Sequence, residues 1–255
     1  MSETILKAEG LSCGYGGKNV LSGIALTLER GTLCAVIGKN GSGKSTLLKA
    51  LAGLIPFEGT IAIREQTRFT PNARARLVSY LPQQGGTYLN LTALETVLMA
   101  YHPYLRLMER PGRELIERAR KTLSELGADG FMEKSISELS CGQRQLVLWA
   151  RTLVTDSPIL LMDEPDSALD PDVRAKAFSA LKKRIRSGTA ALVSMHDLNA
   201  SLRYADRLLV LGDGRLKADI MMKYADRKSV QTALDQTFES LTVCETDGRL
   251  FVREE

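Results

Sequence analysis

The sequence predicts an α/β protein with a mainly parallel sheet, an antiparallel β layer at the N-terminus and an inserted α-helical subdomain. Three observations support this fold class. Continuous apolar runs at 33–37, 159–162 and 190–194 are typical of strands that are buried on both faces. Apolar residues alternate with polar ones over 5–28, and a helical period dominates 91–153.

The first third of the chain is rich in strand patterns. Gly14-Tyr15-Gly16-Gly17 breaks the alternating segment 5–28, which predicts antiparallel strands. The apolar run 33–37 predicts a buried strand, and 45–51 predicts a helix directly after it. Further strands are expected at 59–63 and 77–81, and the second of these is stopped by Pro82 and the glycines at 85 and 86.

The middle of the chain is helical, and strands return after it. One set of apolar residues shares a helix face at 94, 97, 98 and 101, and a second set does so at 115, 119, 123 and 126. A C-terminal hairpin is expected around Asp247-Gly248. The whole chain 1–255 is therefore expected to be one domain, with a core formed by 1–90 and 156–220, a helical subdomain at 91–155 and a tail at 221–255.

A phosphate-binding loop follows the strand 33–37. The segment from Gly38 to Thr46 reads Gly-Lys-Asn-Gly-Ser-Gly-Lys-Ser-Thr, which has the spacing G-x-x-x-x-G-K-[ST]. Glycines at 38, 41 and 43 are expected to allow positive φ and close approach to phosphates. The N-terminus of the next helix favours an anion, Lys44 is expected to reach the β- and γ-phosphates, and Ser45 to ligate Mg²⁺. The sequence therefore predicts a P-loop core that binds a nucleoside triphosphate.

Two acidic residues end the buried strand 159–162. Asp163 is expected to hold Mg²⁺ through water, and Glu164 to polarise the attacking water. Ser140 precedes a predicted helix and is expected to be its N-cap. A lone histidine such as His196 is more often an ordinary core or surface residue, so its role depends on what surrounds it.

Leu139-Ser140-Cys141-Gly142-Gln143, the helix at 144–153 and Ile159-Leu160-Leu161-Met162-Asp163-Glu164-Pro165 together resemble the signature sequence and Walker B strand of ATP-binding cassette (ABC) ATPases. The resemblance implies that Tyr15 stacks on adenine, Gln83 links Mg²⁺ to the helical subdomain as the Q-loop, and His196 donates a hydrogen bond to the γ-phosphate. It also implies Glu164, His196 and Gln83 as catalytic residues and Ser45, Gln83 and Asp163 around Mg²⁺. The nucleotide contacts it implies are Tyr15, Gly38, Asn40, Gly41, Ser42, Gly43, Lys44, Ser45, Thr46, Ser140, Gly142, Gln143 and, in the D-loop, Asp170.

The same resemblance implies partners and a location. Members of the family form head-to-tail dimers in which each ATP lies between one phosphate loop and the other subunit's signature helix. We therefore expect a homodimer with ATP and Mg²⁺ as its cofactors, docked through the Q-loop and helical region on two transmembrane permease subunits at the cytoplasmic face of the membrane. An extracytoplasmic substrate-binding protein is expected to act through the permease.

Composition sets limits on these expectations. The 255 residues carry a formal charge of +4, and no apolar run is long enough for a membrane span or a secretory signal. Cysteines at 13, 34, 141 and 244 have no metal-site spacing, so reduced thiols are expected. The basic clusters at 74–76 and 182–186 are not interleaved with aromatic residues, so nucleic acid is not an expected partner.

Segments 95–104 and 195–206 resemble the ATPases of iron–siderophore, haem and cobalamin importers, although Ala100-Tyr101 stands where that group has Gly-Arg. Cys141 likewise stands where the family prefers glycine. An importer of another cargo, or a soluble ABC ATPase of an assembly or repair system, remains an alternative. A P-loop GTPase or small-molecule kinase is disfavoured, because the chain has no N-K-x-D motif and a kinase has no use for the signature segment.

Overall fold

The structure is a computed structural model, and it describes residues 3–83 and 91–254. Its strands and α-helices, in chain order, are β1 (Thr4–Tyr15), β2 (Lys18–Glu29), β3 (Leu33–Ile37), α1 (Lys44–Ala52), β4 (Glu58–Ile63), α2 (Pro71–Leu77), β5 (Val78–Leu81), α3 (Ala93–Leu98), α4 (Arg113–Glu125), α5 (Cys141–Leu153), β6 (Ile159–Asp163), α6 (Pro171–Arg186), β7 (Ala190–Ser194), α7 (Leu198–Tyr204), β8 (Arg207–Gly212), β9 (Arg215–Met221), α8 (Arg227–Asp235), β10 (Leu241–Thr246) and β11 (Arg249–Glu254).

The N-terminal layer is a three-stranded antiparallel sheet in the order β2-β1-β4. A two-residue turn at Gly16 and Gly17 joins β1 to β2, and both glycines have positive φ, at 57° and 78°. Such a turn needs left-handed backbone at both positions, which glycine adopts without a Cβ clash. The turn places Tyr15 at the exposed tip of the layer.

The central sheet has the order β5-β6-β7-β3-β8-β9, and only β9 runs antiparallel to its neighbour. Strands β3, β6, β7 and β8 are buried at every residue, which explains their continuous apolar runs. Because parallel neighbours end at one edge, the carboxyl ends of β5, β6, β7 and β3 lie side by side. The predicted mainly parallel sheet and N-terminal antiparallel layer are confirmed.

Alternate residues of β3 enter two separate hydrophobic clusters. Cys34 and Val36 pack in the cluster that contains α1 and the N-terminal layer. Leu33, Ala35 and Ile37 pack in the cluster that contains α3 to α6. The central sheet is therefore covered on both faces, as a parallel sheet requires.

The helical region contains a 3-10 helix between α3 and α4. Leu94 and Val97 are buried on α3, and Ala119 and Leu123 are buried on α4, as their spacing predicts. Residues 99–104 form a 3-10 helix with Pro103 inside it. Because proline has no N–H, residue 103 cannot donate the bond that would continue α3 as an α-helix. The sequence also did not predict α2, whose last residue is Leu77, so the strand expected from 77 begins at Val78.

The C-terminal strands β10 and β11 form a hairpin that turns at Asp247 and Gly248. The side-chain amide of Asn199, on α7, donates to the Val252 carbonyl at 3.1 Å and accepts from the Val252 N–H at 2.7 Å. The hairpin is thus anchored on the helix that follows β7. Within the described ranges, every helix is too short or too polar to cross a bilayer.

Candidate active site

The loop between β3 and α1 forms a tight cradle. Gly41 and Gly43 have φ of 79° and 104°, a backbone that only glycine adopts readily. A Cβ on Gly43 would lie 2.5 Å from Leu21 Cδ2. The expectation that Gly38 also has positive φ is wrong: glycine is needed there because a Cβ would lie 2.2 Å from the Leu211 carbonyl oxygen.

Lys44 is drawn back onto this loop. Its ammonium donates to the Gly38 carbonyl at 2.8 Å and to the Lys39 carbonyl at 3.2 Å, and its side chain is buried. Burial lowers the pKa of Lys44, and the nearby carboxylates of Glu164 and Asp163 partly offset that effect. The site therefore keeps a buried cation beside two buried acids.

The other predicted loop residues lie around this cation. Asn40 and Gly41 are exposed, Ser45 is half-buried in the first turn of α1, and Thr46 is buried. The Ser42 hydroxyl is buried, and it has no hydrogen-bond partner among the described residues. An unpaired buried hydroxyl is costly, and a bound acceptor would satisfy it.

Asp163 ends β6 beside β7 and is almost fully buried. The hydroxyl of Ser194, the last residue of β7, donates to the Asp163 carboxylate at 2.7 Å. The Tyr80 hydroxyl on β5 is buried without a hydrogen-bond partner among the described residues. Burial, followed by the charge of Asp163, raises the pKa of Tyr80.

Glu164 has a left-handed backbone, with φ of 47°, which is unusual for a residue with a side chain. Its N–H donates to the Ser194 hydroxyl at 2.8 Å and to the Ser194 carbonyl at 3.2 Å. Its two carboxylate oxygens contact two predicted site residues: Gln83 Nε2 donates at 2.6 Å, and His196 Nε2 lies 2.5 Å away. The structure therefore brings Gln83, Glu164 and His196 together, and the expected contacts of Gln83 with Mg²⁺ and of His196 with phosphate stay predictions.

The N-terminus of α5 forms a second group of predicted residues. Ser140 is its N-cap, as expected, and makes a reciprocal capping box with Gln143 at 3.0 and 3.2 Å. The helix begins at Cys141, three residues before the expected 144. A Cβ on Gly142 would lie 2.9 Å from the Ala168 carbonyl oxygen, so α5 approaches the 166–170 loop closely.

Two predicted nucleotide contacts lie at exposed positions. Asp170 is the N-cap of α6, where its carboxylate accepts the Val173 N–H at 3.0 Å. Tyr15 is 50% exposed, which leaves a ring face available for stacking. Both residues have ordinary local roles, so their predicted contacts with nucleotide depend on what binds beside them.

Sequence reasoning assigned no role to Ser194 or Tyr80. Each lies in a strand next to β6. Ser194 ends a buried apolar run, whereas Tyr80 is half-buried in a strand of mixed polarity, so the sequence signal is weak for both. Buried polar side chains in such runs need a partner. The Ser194 hydroxyl meets that requirement by pairing with Asp163 and Glu164. The Tyr80 hydroxyl has no hydrogen-bond partner among the described residues, but it lies close enough to Asp163 for that charge to raise its pKa.

The residues present fit a nucleoside triphosphate with Mg²⁺. The unpaired Ser42 hydroxyl, the glycine cradle and the buried Lys44 suit a phosphate chain. Ser45 and Asp163 supply hydroxyl and carboxylate oxygens, which are the ligands that Mg²⁺ prefers. The site can hold a polyphosphate and place a carboxylate next to it.

Comparisons with known proteins identify the family of the chain. A family model described as "ABC transporter" matches residues 21–167. The chain is 34% identical over 217 residues to the probable iron chelatin transport ATP-binding protein of Helicobacter pylori, covering 83% of this chain and 85% of that protein. It is 36% identical over 208 residues to the zinc transport system ATP-binding protein TroB of Treponema pallidum, covering 81% and 77%. A solved dimeric structure of a bacterial ABC transporter cassette superposes with a TM-score of 0.78 at 28% identity, over 86% of this chain and 99% of that one.

Proposed function

This chain belongs to the ABC transporter family and is an ATPase of the kind that is coupled to transport, and we propose that it drives an importer of an iron chelate. The catalytic part of this proposal rests on one observation, which is the position of Glu164. It lies one residue beyond Asp163, beside the buried Lys44, and its carboxylate is held by Gln83 and His196. That arrangement supports a general base next to a phosphate site.

The proposal gives each site residue a defined task, and Gln83 has two. Lys44 binds the β- and γ-phosphates, and Ser45 and Asp163, with Gln83, hold Mg²⁺. When bound, Mg²⁺ neutralises charge on the phosphate oxygens. A Glu164 carboxylate oxygen takes the proton of the attacking water, and His196 and Gln83 orient that carboxylate.

A second copy of the chain completes the site. The first turn of α5 carries a backbone N–H at Gly142, the Gln143 N–H donates to the Ser140 hydroxyl, and a helix N-terminus favours an anion. In a head-to-tail homodimer, Ser140, Gly142 and Gln143 face the γ-phosphate held by the partner. We place Asp170 at the same interface between the two copies, because α5 packs closely on the 166–170 loop.

The permease contact is proposed next to Gln83. A groove of about 220 Å³ is lined by residues of β5, the 3-10 helix and α5, among them Tyr80, Met99, Pro103 and Arg151. A segment inserted there lies beside the strand that delivers Gln83 to Glu164. Docking of two permease subunits would place the dimer at the cytoplasmic face of the membrane, with a substrate-binding protein acting from the other side.

The cargo proposal rests on resemblance. Segments 95–104 and 195–206 resemble importers of iron–siderophore, haem and cobalamin, and the Helicobacter pylori relative is named for iron chelatin. The Treponema pallidum relative is named for zinc, so an importer of another cargo is the alternative. A soluble assembly ATPase is the other alternative, and it predicts copurification with soluble scaffold proteins instead of a permease.

Glu164→Gln tests the catalytic proposal. We expect ATP binding to persist and turnover to fall about 10²–10⁴-fold, because the amide keeps the shape and loses the base. ATP should then hold the variant as a dimer in gel filtration. Glu117→Gln, an exposed position on α4, is the matched control. Near-normal ATPase activity of Glu164→Gln contradicts the assignment.

Transport is tested by copurification with its genomic neighbours. A polytopic permease encoded beside this chain should copurify with it from detergent extracts. Vesicles that contain the complex should take up a ferric siderophore, haem or cobalamin only with ATP. Uptake of zinc alone supports the other cargo, and copurification with soluble scaffold proteins alone contradicts a transport role.

A further inference from the structure

One backbone carbonyl beside Glu164 accepts hydrogen bonds from two buried side chains of α5. Gln145 Nε2 donates to the Pro165 carbonyl oxygen at 2.8 Å, and Trp149 Nε1 donates to the same oxygen at 2.7 Å. Gln145 is 6% exposed and Trp149 is fully buried. Two side chains one helical turn apart are therefore committed to one acceptor.

Pro165 directly follows Glu164, so these two hydrogen bonds hold the backbone on the C-terminal side of the catalytic base. Proline has no N–H, and its ring restricts φ. The carbonyl oxygen is therefore the one backbone group through which Pro165 can form a hydrogen bond. On the N-terminal side, the Glu164 N–H donates a hydrogen bond to the Ser194 hydroxyl. The left-handed Glu164 is thus held by β7 before it and by α5 after it.

The Trp149 ring is itself locked in place by other aromatic rings. It packs edge-on against Phe178 of α6 at 5.5 Å between ring centroids. Phe178 in turn stacks on Tyr204 of α7 at 4.2 Å. Since the indole cannot reorient without disturbing this stack, its N–H stays directed at Pro165.

We infer that Gln145 and Trp149 are positioning residues that tie the signature helix α5 to the base Glu164 through the Pro165 carbonyl. This inference rests on the proposed role of Glu164. The N-terminus of α5 faces the ATP of the partner subunit in the proposed dimer, whereas Glu164 serves the ATP on its own phosphate loop. The two bonds therefore give a direct mechanical link from one ATP site to the other.

Two conservative variants and their combination test the link. Trp149→Phe removes the indole N–H and keeps a ring against Phe178, and Gln145→Met removes the amide and keeps the side-chain length. We expect each single variant to lower kcat about twofold to fivefold, because one donor remains. The double variant should lose at least about tenfold more than the product of the two single effects, because the buried carbonyl then has no partner. The KM for ATP should stay unchanged in all three, because the phosphate loop is untouched.

Thr152→Val is the matched control. Thr152 is buried on the same helix, and its hydroxyl donates to Leu148 within the helix at 2.9 Å, away from Pro165. Loss of the Thr152 hydroxyl should change the melting temperature and leave kcat within about twofold of wild type. A double variant whose kcat falls no further than that of this control overturns the inference.

Trp149 is the only tryptophan of the chain, which provides a second readout. Its indole N–H should give one ¹H–¹⁵N signal that exchanges slowly with solvent, is absent in Trp149→Phe and shifts in Gln145→Met. Rapid exchange in the wild-type protein overturns the inference. If Glu164→Gln keeps full turnover, the proposed function fails and the inference fails with it. If Glu164→Gln is inactive and the double variant has wild-type kcat, only the inference fails.

Discussion

The Ser194 hydroxyl donates a 2.7 Å hydrogen bond to the Asp163 carboxylate, across two adjacent parallel strands. The same hydroxyl oxygen accepts the Glu164 N–H at 2.8 Å. One buried serine therefore positions both acids at the carboxyl end of β6.

Ser194→Ala is expected to weaken both catalysis and folding. Asp163 would lose a buried donor, so the free energy of unfolding should fall by about 1–3 kcal/mol and kcat by about tenfold. Urea unfolding and steady-state ATPase assays measure the two effects. Ser201→Ala is the control, because Ser201 is also buried and its hydroxyl donates to the carbonyl of Asp197, the N-cap residue of α7. Equal kcat in the two variants contradicts a role for Ser194 at the site.

Lys44→Ala should remove the buried cation of the phosphate site. ATP affinity should fall by at least about tenfold, or turnover should be lost, because the charge that neutralises the β- and γ-phosphates is gone. Lys49→Ala, on the same helix, should bind ATP normally. A nucleotide titration with unchanged affinity, together with full ATPase activity, would show that Lys44 is not the phosphate lysine.

Gly43→Ala should damage the cradle through backbone and packing together. A side chain is strained at φ of 104°, and its Cβ would lie 2.5 Å from Leu21 Cδ2. We expect a loss of about 1–3 kcal/mol in stability and weaker ATP binding. Gly130→Ala is the control, since a Cβ there meets nothing within 4 Å. An unchanged melting temperature and ATP affinity of Gly43→Ala would contradict this explanation.

Cys141 offers a chemical test of dimer closure. It is exposed, whereas Cys13 and Cys34 are buried and Cys244 is half-buried. A bulky maleimide should therefore react first at Cys141, and it should block ATPase activity because this helix end faces the partner's nucleotide. ATP bound without hydrolysis should protect the thiol, and Cys141→Gly should resist inhibition. Stoichiometric modification without loss of turnover, mapped by mass spectrometry, would refute the idea.

Asp166 and Asp156 should have opposite effects on stability as pH changes. Burial raises the pKa of Asp166 above its ordinary 3.8; a hydrogen bond to its own backbone and the charge of Arg174 oppose this increase, and Asp197 and Glu164 add to it. The protonated form is therefore favoured by folding, and the stability that it contributes is lost as pH rises through the folded-state pKa. Asp166→Asn should be more stable than wild type at pH 7, and the gap should close near pH 4.

The hydrogen bond from Arg118 is the main reason that the pKa of Asp156 is lowered. That carboxylate contributes stability above its unfolded-state pKa, and this stability is lost as pH falls through the folded-state value. Asp156→Asn should therefore be less stable than wild type at pH 7. Chemical denaturation from pH 4 to pH 8 measures how the free energy of unfolding of each variant differs from that of wild type. Differences of the same sign for the two variants at pH 7 would contradict the assignment.

Much of the fold could be predicted because its signals are local. Burial on both faces forces continuous apolar runs, which located β3, β6 and β7 within a residue. The helix α2 was missed because it is short and has no buried residue, so it carries no apolar period.

The chemistry of the site was predicted only in part. Residues such as Lys44 and Asp163 lie in motifs whose spacing is itself the signal. Ser194, Gln145 and Trp149 have no such motif, because their partners are distant in sequence. Their importance depends on which strand and helix lie next to β6.

By itself, the sequence determined the phosphate loop, the order of strands and helices, and the residues expected to surround ATP, since each is encoded within a few consecutive positions. Only the tertiary structure decided that Gln83 and His196 converge on Glu164, and that Gly38 is required by Leu211 instead of by a positive φ. Both depend on how distant segments approach one another. Parallel neighbours in the sheet bring the carboxyl ends of β5, β6 and β7 to one edge, and no local pattern specifies that contact.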